Sequence, residues 1–140
     1  MSERPDAAQL AEAIKGLSDE DLKVELEKWG IDTVLKDIFA GMQDAFRPDK
    51  AGSNAALIQY DIDVDGDIRS WTVDIANGAC KTSEGAAENP RLTLQLGLIN
   101  FVRLIFRQAD GTQLFMSGKL KLKGDMMFAM QMQNYFESPA

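Results

Sequence analysis

The segment DIDVDGDIRSWT, residues 61–72, places acidic side chains at the spacing of a calcium-binding loop. Asp61, Asp63 and Asp65 fall on the first, third and fifth positions of the EF-hand pattern, and Gly66 falls on the sixth. The twelfth position, a bidentate glutamate in a working calcium loop, is Thr72 here. Both flanks alternate between apolar and polar residues, which is typical of strands and not of EF-hand helices. We therefore predict a hairpin with carboxylates on its solvent face, and no metal site.

Lysine alternates with leucine in KLKLK, residues 119–123. Such a basic stripe can bind the phosphates of a head group such as coenzyme A. It can equally place Lys119, Lys121 and Lys123 on the solvent face of one strand, where lysines oppose edge-to-edge pairing. The strict alternation favours the second interpretation.

Side chains suited to acid–base and nucleophilic chemistry are scarce. The chain has no histidine, which excludes Ser-His triads and histidine-based zinc sites. Its one cysteine, Cys80, excludes thiolate metal clusters and internal disulfides. Carboxylates are plentiful, but no pair stands out as a tuned acid–base couple. We therefore predict no catalytic residue, no metal and no cofactor, and conclude that the protein is not an enzyme.

The composition predicts one globular domain in the cytoplasm. The chain of 140 residues is 45% hydrophobic, which is enough for a substantial core. Its net charge of −7 opposes contact with the phosphates of nucleic acids and with anionic membrane surfaces. No apolar run approaches the roughly 20 residues of a membrane helix, so we expect no stable membrane insertion. The polar start of the chain also lacks the features of a signal peptide.

Methionine is concentrated in the last predicted helix, where it fills four of the seven positions from 126 to 132. On a helical wheel one side holds Met126, Met127 and Met130, and the opposite side holds Phe128, Met132, Tyr135 and Phe136. A surface helix needs only one apolar face, so the second face requires another explanation. It packs into the core, forms a dimer, or borders a cavity in which flexible methionines adapt to ligands. Periodicity alone favours the core.

The elements that must position these residues follow from periodicity and turn signals. Three antiparallel strands begin near Ala55 and turn at Asp65-Gly66 and Asn77-Gly78. The remaining predicted elements are helices over residues 5–15, 18–29 and 31–46, a strand over 91–96, a helix over 98–108, a helical turn over 113–117, a strand over 119–123 and a helix over 125–136. The helix over 31–46 ends before Pro48, and Asp125 is the N-cap of the last helix. The helix over 31–46 carries a one-sided apolar stripe of Leu35, Ile38, Phe39, Met42 and Phe46. The order predicts an α+β fold whose helices cover the dry face of the sheet.

The segment LFMSGKLKLKGDMMFAM, residues 114–130, resembles the hallmark segment of the sterol carrier protein type 2 domain family. It shares the bulky apolar pair, the Gly-Lys-Leu-Lys-aliphatic run, the Gly-Asn/Asp turn and the Met-x-x-Ala-Met helix. SWTVDIANGAC, residues 70–80, is similar to the Trp-x-Val-Asp-aliphatic strand and Asn-Gly turn of that family. NPRLTLQL, residues 89–96, followed by an apolar helix, is similar to its next strand and helix. The resemblance covers about residues 33–136.

This resemblance implies a single five-stranded, mostly antiparallel sheet with helices packed on one face and a hydrophobic tunnel between them. It also implies non-catalytic binding and transfer of a fatty acid, a fatty acyl-coenzyme A or a sterol-like lipid. Combined with the doubly apolar last helix, it predicts a set of lipid-binding residues. These are Phe101, Ile105, Phe115, Met116, Leu122, Met126, Met127, Met130, Met132 and Phe136.

Residues 1–30 have no counterpart in the minimal domain of that family. We therefore divide the chain into an N-terminal helical extension, residues 1–30, and a lipid-binding domain, residues 31–140. The extension keeps a second interpretation open: an accessory module that presents a lipid-like intermediate to a partner enzyme, or dimerises through its apolar helix face. We expect a monomer or a weak dimer. The final Ser-Pro-Ala differs from a peroxisomal signal, in line with a cytoplasmic location.

Overall fold

Five strands form one mixed sheet in a computed structural model that describes residues 12–136. The spatial order is β3-β2-β1-β4-β5. The strands are β1 (Ala56–Val64), β2 (Asp67–Ala76), β3 (Ala79–Glu84), β4 (Leu92–Gly97) and β5 (Leu120–Gly124). Only the β1–β4 pair is parallel, and the other three pairs are antiparallel. The predicted α+β fold with a mostly antiparallel, five-stranded sheet is confirmed.

The two predicted hairpin turns are present. The φ angles are 53° at Asp65 and 90° at Gly66, and 54° at Asn77 and 72° at Gly78. Two successive residues with positive φ are what a tight turn between twisted antiparallel strands requires, and Asn-Gly and Asp-Gly adopt it readily. These turns set the register that places Trp71 opposite Tyr60.

The aspartates of the calcium-like segment stabilise the β1–β2 hairpin. The Asp63 carboxylate accepts a hydrogen bond from the Gly66 N–H at 2.7 Å. The Ser70 hydroxyl donates to Asp61 at 2.7 Å. The predicted hairpin is thus confirmed, and within residues 12–136 no three acidic, histidine or cysteine side chains are grouped closely enough to hold a metal ion.

Six helices are defined in the described chain after a helical stretch at residues 12–15. They are α1 (Asp19–Trp29), α2 (Ile31–Ala45), α3 (Pro48–Ala51), α4 (Leu98–Ile105), α5 (Gly111–Met116) and α6 (Met126–Met132), and a 3₁₀ turn, Gln133–Tyr135, follows α6. Most of the helix predicted over residues 5–15 lies outside the described residues. None of the helices between residues 12 and 136 combines the length and the apolarity that crossing a bilayer requires.

Two predicted helix ends lie too far along the chain, and one short helix was not predicted. The helix predicted over 98–108 ends at Ile105, since Arg107 adopts a φ of 60° that no right-handed helix contains. Pro48, expected only to end the preceding helix, begins the short helix α3, because proline suits the first helical position. The helix predicted over 125–136 ends at Met132 and tightens into the 3₁₀ turn, a common helix ending.

The core lies between the sheet and the helices and is centred on Phe39 of α2. The ring of Phe39 stacks on Trp71, with centroids 4.6 Å apart and an interplanar angle of 8°. It also stacks on Phe101 of α4 at 5.4 Å. Such contacts between large rings contribute beyond simple burial and fix α2 and α4 against the sheet.

The segment before residue 30 shares this core. Ile14, Leu22 and Leu26 are buried in the same cluster of apolar side chains. The Arg103 guanidinium of α4 also donates to the Asp19 carboxylate at 3.0 Å and to the Leu17 carbonyl at 2.8 Å. The boundary between an extension and a domain at residue 30 stays a prediction.

Candidate functional site

A cavity of about 1090 Å³ lies between the sheet and the helices. Four residues of three strands form its floor: Tyr60, Leu94, Leu120 and Leu122. Its volume slightly exceeds the usual range for small-molecule pockets, about 300–1,000 Å³. The site is therefore large enough for a whole lipid-sized ligand.

One wall of the cavity is the apolar stripe of α2. Val34, Ile38 and Met42 follow one another at intervals of four residues and therefore share one face of the helix. All three side chains are buried. The predicted amphipathic stripe of this helix thus serves both the core and the cavity.

A second wall is formed by the end of α4, the turn that follows it and the start of α5, and every residue from 104 to 113 borders the cavity. The turn begins where Arg107 takes its positive φ. It ends at Asp110, whose carboxylate accepts a hydrogen bond from the Thr112 N–H at 2.9 Å and caps α5. Sequence reasoning found only Ile105 of this wall, because it continued the preceding helix to residue 108 and interpreted the next residues as a plain loop.

A third wall is α6, which the turn at Gly124-Asp125 directs across the cavity. The Asp125 carboxylate accepts a hydrogen bond from the Phe128 N–H at 3.0 Å, which confirms the predicted N-cap. This hydrogen bond, followed by the bond from the Arg91 guanidinium, lowers the pKa of Asp125 below its usual value. The guanidinium also lies 4.2 Å from the centroid of the Phe128 ring, so α6 is anchored to the start of β4.

The two apolar sides of α6 have different environments. Phe128 and Met132 are buried. Met126, Met127 and Met130 are 41%, 74% and 75% exposed. The cavity is lined from both sides of the helix, since its wall includes Met126, Met130 and Met132. A helical wheel alone does not separate the residues that face the cavity from those that face the core.

Seven of the ten predicted site residues line the cavity. They are Ile105, Phe115, Leu122, Met126, Met130, Met132 and Phe136. The other three lie outside it. Phe101 is fully buried between Phe39 and Tyr60 in the core, because it projects from the sheet-facing side of α4. Met116, at the end of α5, is 80% exposed, and Met127 is on the outer side of α6.

Charged residues of the cavity wall lie at its rim. Asp37, Asp44, Asp110 and Arg107 are all exposed and all border the cavity. The charged residues that border the cavity thus comprise three carboxylates and one guanidinium. Lys121 and Lys123 are exposed on the edge strand β5, and Lys119 is exposed immediately before it, as predicted for a solvent face. They project to the opposite side of that strand from the floor residues.

Two groups with potential chemistry have a raised pKa. Burial is the main cause for Cys80 and raises its thiol pKa to about 11, with the nearby Asp74 charge adding to the effect. Burial also raises the pKa of Tyr60, and the positive charge of Arg107 acts in the opposite direction. Both groups therefore keep their protons at neutral pH, and the Cys80 thiol is a poor nucleophile there.

Known proteins resemble this chain in both sequence and structure. Residues 35–137 match the SCP-2 sterol transfer family. The oleate-induced peroxisomal protein POX18 of Candida maltosa is 29% identical over 119 residues, which are 83% of this chain and 94% of that protein.

Two solved structures share the fold described above. Sterol carrier protein 2-like 2 of Aedes aegypti has a TM-score of 0.60 and 21% identity, over 74% of this chain and 94% of that one. The apo form of sterol carrier protein 2 of Yarrowia lipolytica has a TM-score of 0.55 and 25% identity, over 75% of this chain and 91% of that one.

Proposed function

The chain belongs to the SCP-2 sterol transfer family, and from this premise we propose that it binds one lipid in the cavity and transfers it without chemical change. Membership supports lipid binding in general. The observation that carries the specific proposal is the cavity of about 1090 Å³ with its leucine-rich floor and methionine-containing wall. We propose this cavity as the counterpart of the tunnel expected from the sequence.

Burial of apolar surface supplies the affinity in this proposal. Each methylene removed from water contributes about 0.8 kcal/mol. A long acyl chain therefore gains several kcal/mol after the costs of association and ordering. Leucine and methionine walls select loosely for length and shape, so a fatty acid, a fatty acyl-coenzyme A and a sterol-like lipid all remain candidate ligands. The cytoplasmic location stays a prediction, while the POX18 relative is named as peroxisomal.

Uptake of a fluorescent fatty acid by two tryptophan variants tests this proposal. Met130→Trp adds bulk at the cavity wall, whereas Met127→Trp adds the same bulk to a side chain of similar exposure outside the cavity. We expect Met130→Trp to weaken uptake severalfold and Met127→Trp to leave it unchanged, with equal thermal unfolding midpoints. Equal uptake by both variants and the wild type contradicts the assignment of this wall.

A second candidate function, dimerisation or presentation of a lipid to a partner enzyme, is favoured by exposed apolar side chains on α5 and α6. Met116, Met127 and Met130 are 80%, 74% and 75% exposed. Exposed apolar surface of this kind marks interaction sites. Sedimentation velocity of the wild type and of a Met116→Lys/Met127→Lys variant tests this candidate. A dimer that the two lysines dissociate supports it, and a concentration-independent monomer contradicts dimerisation.

A further inference from the structure

The floor of the cavity carries a single polar side chain. The strands contribute Tyr60, Leu94, Leu120 and Leu122 to it. The leucines offer no polar side-chain atom, so the Tyr60 hydroxyl is the one polar side-chain group that the described strands present to the cavity.

The Tyr60 ring is held in place by the core. It contacts Phe39 edge to face at a centroid distance of 5.5 Å and an angle of 70°. It contacts Phe101 in the same way at 5.6 Å and 67°. The residue is only 4% exposed. Packing on these two rings fixes where the hydroxyl lies.

The Tyr60 hydroxyl makes no hydrogen bond with any residue from 12 to 136. Within the same residues, every side-chain nitrogen or oxygen that is sealed from solvent has a partner. The hydroxyl therefore reaches open space, and the cavity is the open space that Tyr60 lines. A hydroxyl that lines the cavity loses access to water when a lipid fills the cavity, which is unfavourable unless an oxygen of the ligand accepts its hydrogen bond.

The charges around the opening restrict the type of oxygen. Asp37, Asp44 and Asp110 outnumber Arg107 at the rim, so the opening is acidic. An anionic carboxylate would pass these charges and then lose its hydration at an apolar floor. A neutral hydroxyl or carbonyl oxygen is not repelled by these charges, and its loss of hydration costs far less than that of an ion. Because burial keeps the Tyr60 phenol protonated, it can donate a hydrogen bond to either group.

We infer that the Tyr60 hydroxyl anchors a neutral hydroxyl or carbonyl oxygen at the inserted end of the bound lipid. This inference rests on the proposed function and adds an orientation, with the polar end of the ligand on the sheet and its apolar body against α2 and α6. Amphipathic neutral lipids are then preferred over hydrocarbons of the same length.

Competition between matched ligands tests the anchor. The fluorescent hydrocarbon diphenylhexatriene, which contains no oxygen, is bound first and then displaced by 1-dodecanol or by 1-chlorododecane, each delivered from cyclodextrin. Tyr60→Phe removes only the hydroxyl. Tyr135→Phe is the control, because the Tyr135 hydroxyl accepts a hydrogen bond from Asn54 at 2.7 Å and Tyr135 does not line the cavity.

Tyr60→Phe should lower the affinity for 1-dodecanol about two- to tenfold, which is the usual effect of losing one hydrogen bond. The affinity for 1-chlorododecane should stay within about twofold of the wild-type value. Tyr135→Phe should change neither affinity. Unchanged 1-dodecanol affinity in Tyr60→Phe, or equal weakening of both ligands, overturns the anchor while leaving lipid binding intact. If the wild type binds neither diphenylhexatriene nor the alcohol, the proposed function fails and the anchor fails with it.

Discussion

Arg91 and Asp125 join the sheet to the last helix through two kinds of contact. The Asp125 N–H donates to the Arg91 carbonyl at 3.0 Å. The Arg91 guanidinium lies 3.0 Å from the Asp125 carboxylate. Arg91 immediately precedes β4 and Asp125 immediately precedes α6, so these contacts fix one wall of the cavity to the sheet.

Substitution of Asp125 should loosen this wall in two steps. Asparagine keeps a capping oxygen but loses the charge, whereas alanine loses both. We expect the midpoint of thermal unfolding to fall in the order wild type, Asp125→Asn, Asp125→Ala. Calorimetry of the three proteins measures it, and an alanine variant as stable as the wild type contradicts the role of the cap.

Acid should remove the difference in thermal unfolding midpoint between the wild type and Asp125→Asn. The pKa of Asp125 is lowered in the folded protein, first by the Phe128 N–H and then by Arg91. A carboxylate with a lowered pKa stabilises the fold above its unfolded pKa, about 3.9, and this stabilisation is lost as pH falls through the folded value. Thermal unfolding between neutral pH and acid should therefore show the two midpoints converging below about pH 4. A difference between the two midpoints that stays the same at every pH contradicts the Asp125 charge as the cause of that difference.

Gly124→Ala should destabilise the protein more than Gly118→Ala. Both glycines have positive φ angles, 114° and 79°. A methyl group on Gly124 would also lie 2.3 Å from the Arg91 carbonyl oxygen, whereas one on Gly118 meets nothing within 4 Å. We expect Gly118→Ala to lower the free energy of unfolding by about 1–2 kcal/mol, and Gly124→Ala by clearly more. Urea unfolding of the two variants decides this, and equal losses would contradict the close approach.

Phe101 should contribute to stability and not to the affinity for a fatty acid. Phe101→Leu opens space in the fully buried aromatic cluster and should lower the free energy of unfolding by about 1–2 kcal/mol. Its affinity for a fluorescent fatty acid should stay within about twofold, because Phe101 does not border the cavity. Ile105→Ala, at the cavity wall, is the comparison and should change that affinity more. A larger change in affinity for Phe101→Leu than for Ile105→Ala would indicate that Phe101 belongs to the binding site.

The acidic rim should disfavour anionic ligands. Asp44→Lys reverses one of its charges, and the distance dependence of Coulomb energy predicts about a two- to fivefold gain in palmitate affinity at low salt. The affinity for 1-hexadecanol should not change, and the gain for palmitate should shrink in about 0.5 M salt because the charge is exposed. Isothermal titration with both ligands measures this. An equal gain in affinity for palmitate and 1-hexadecanol would indicate that the substitution acts through the shape of the cavity and not through charge.

Sequence reasoning predicted the features that depend on local pattern. Alternation and the Asp65-Gly66 and Asn77-Gly78 turns predicted the hairpins, and Asp125 was recognised as a cap. It missed what depends on contacts between distant segments. The position of the Tyr60 hydroxyl at the cavity is visible only once α2 and α4 pack around its ring. Apolar character likewise did not distinguish the buried Phe101 from the exposed Met116, since both are large apolar side chains in apolar helical segments.

Native mass spectrometry of the protein, purified without added ligand, tests lipid binding most directly. We expect a monomer carrying the mass of one lipid, which organic extraction releases and identifies, and which 1-hexadecanol replaces after delipidation. A ligand-free dimer would support the second candidate function instead. A ligand-free monomer that takes up neither the alcohol nor a fluorescent fatty acid would contradict lipid binding in this cavity.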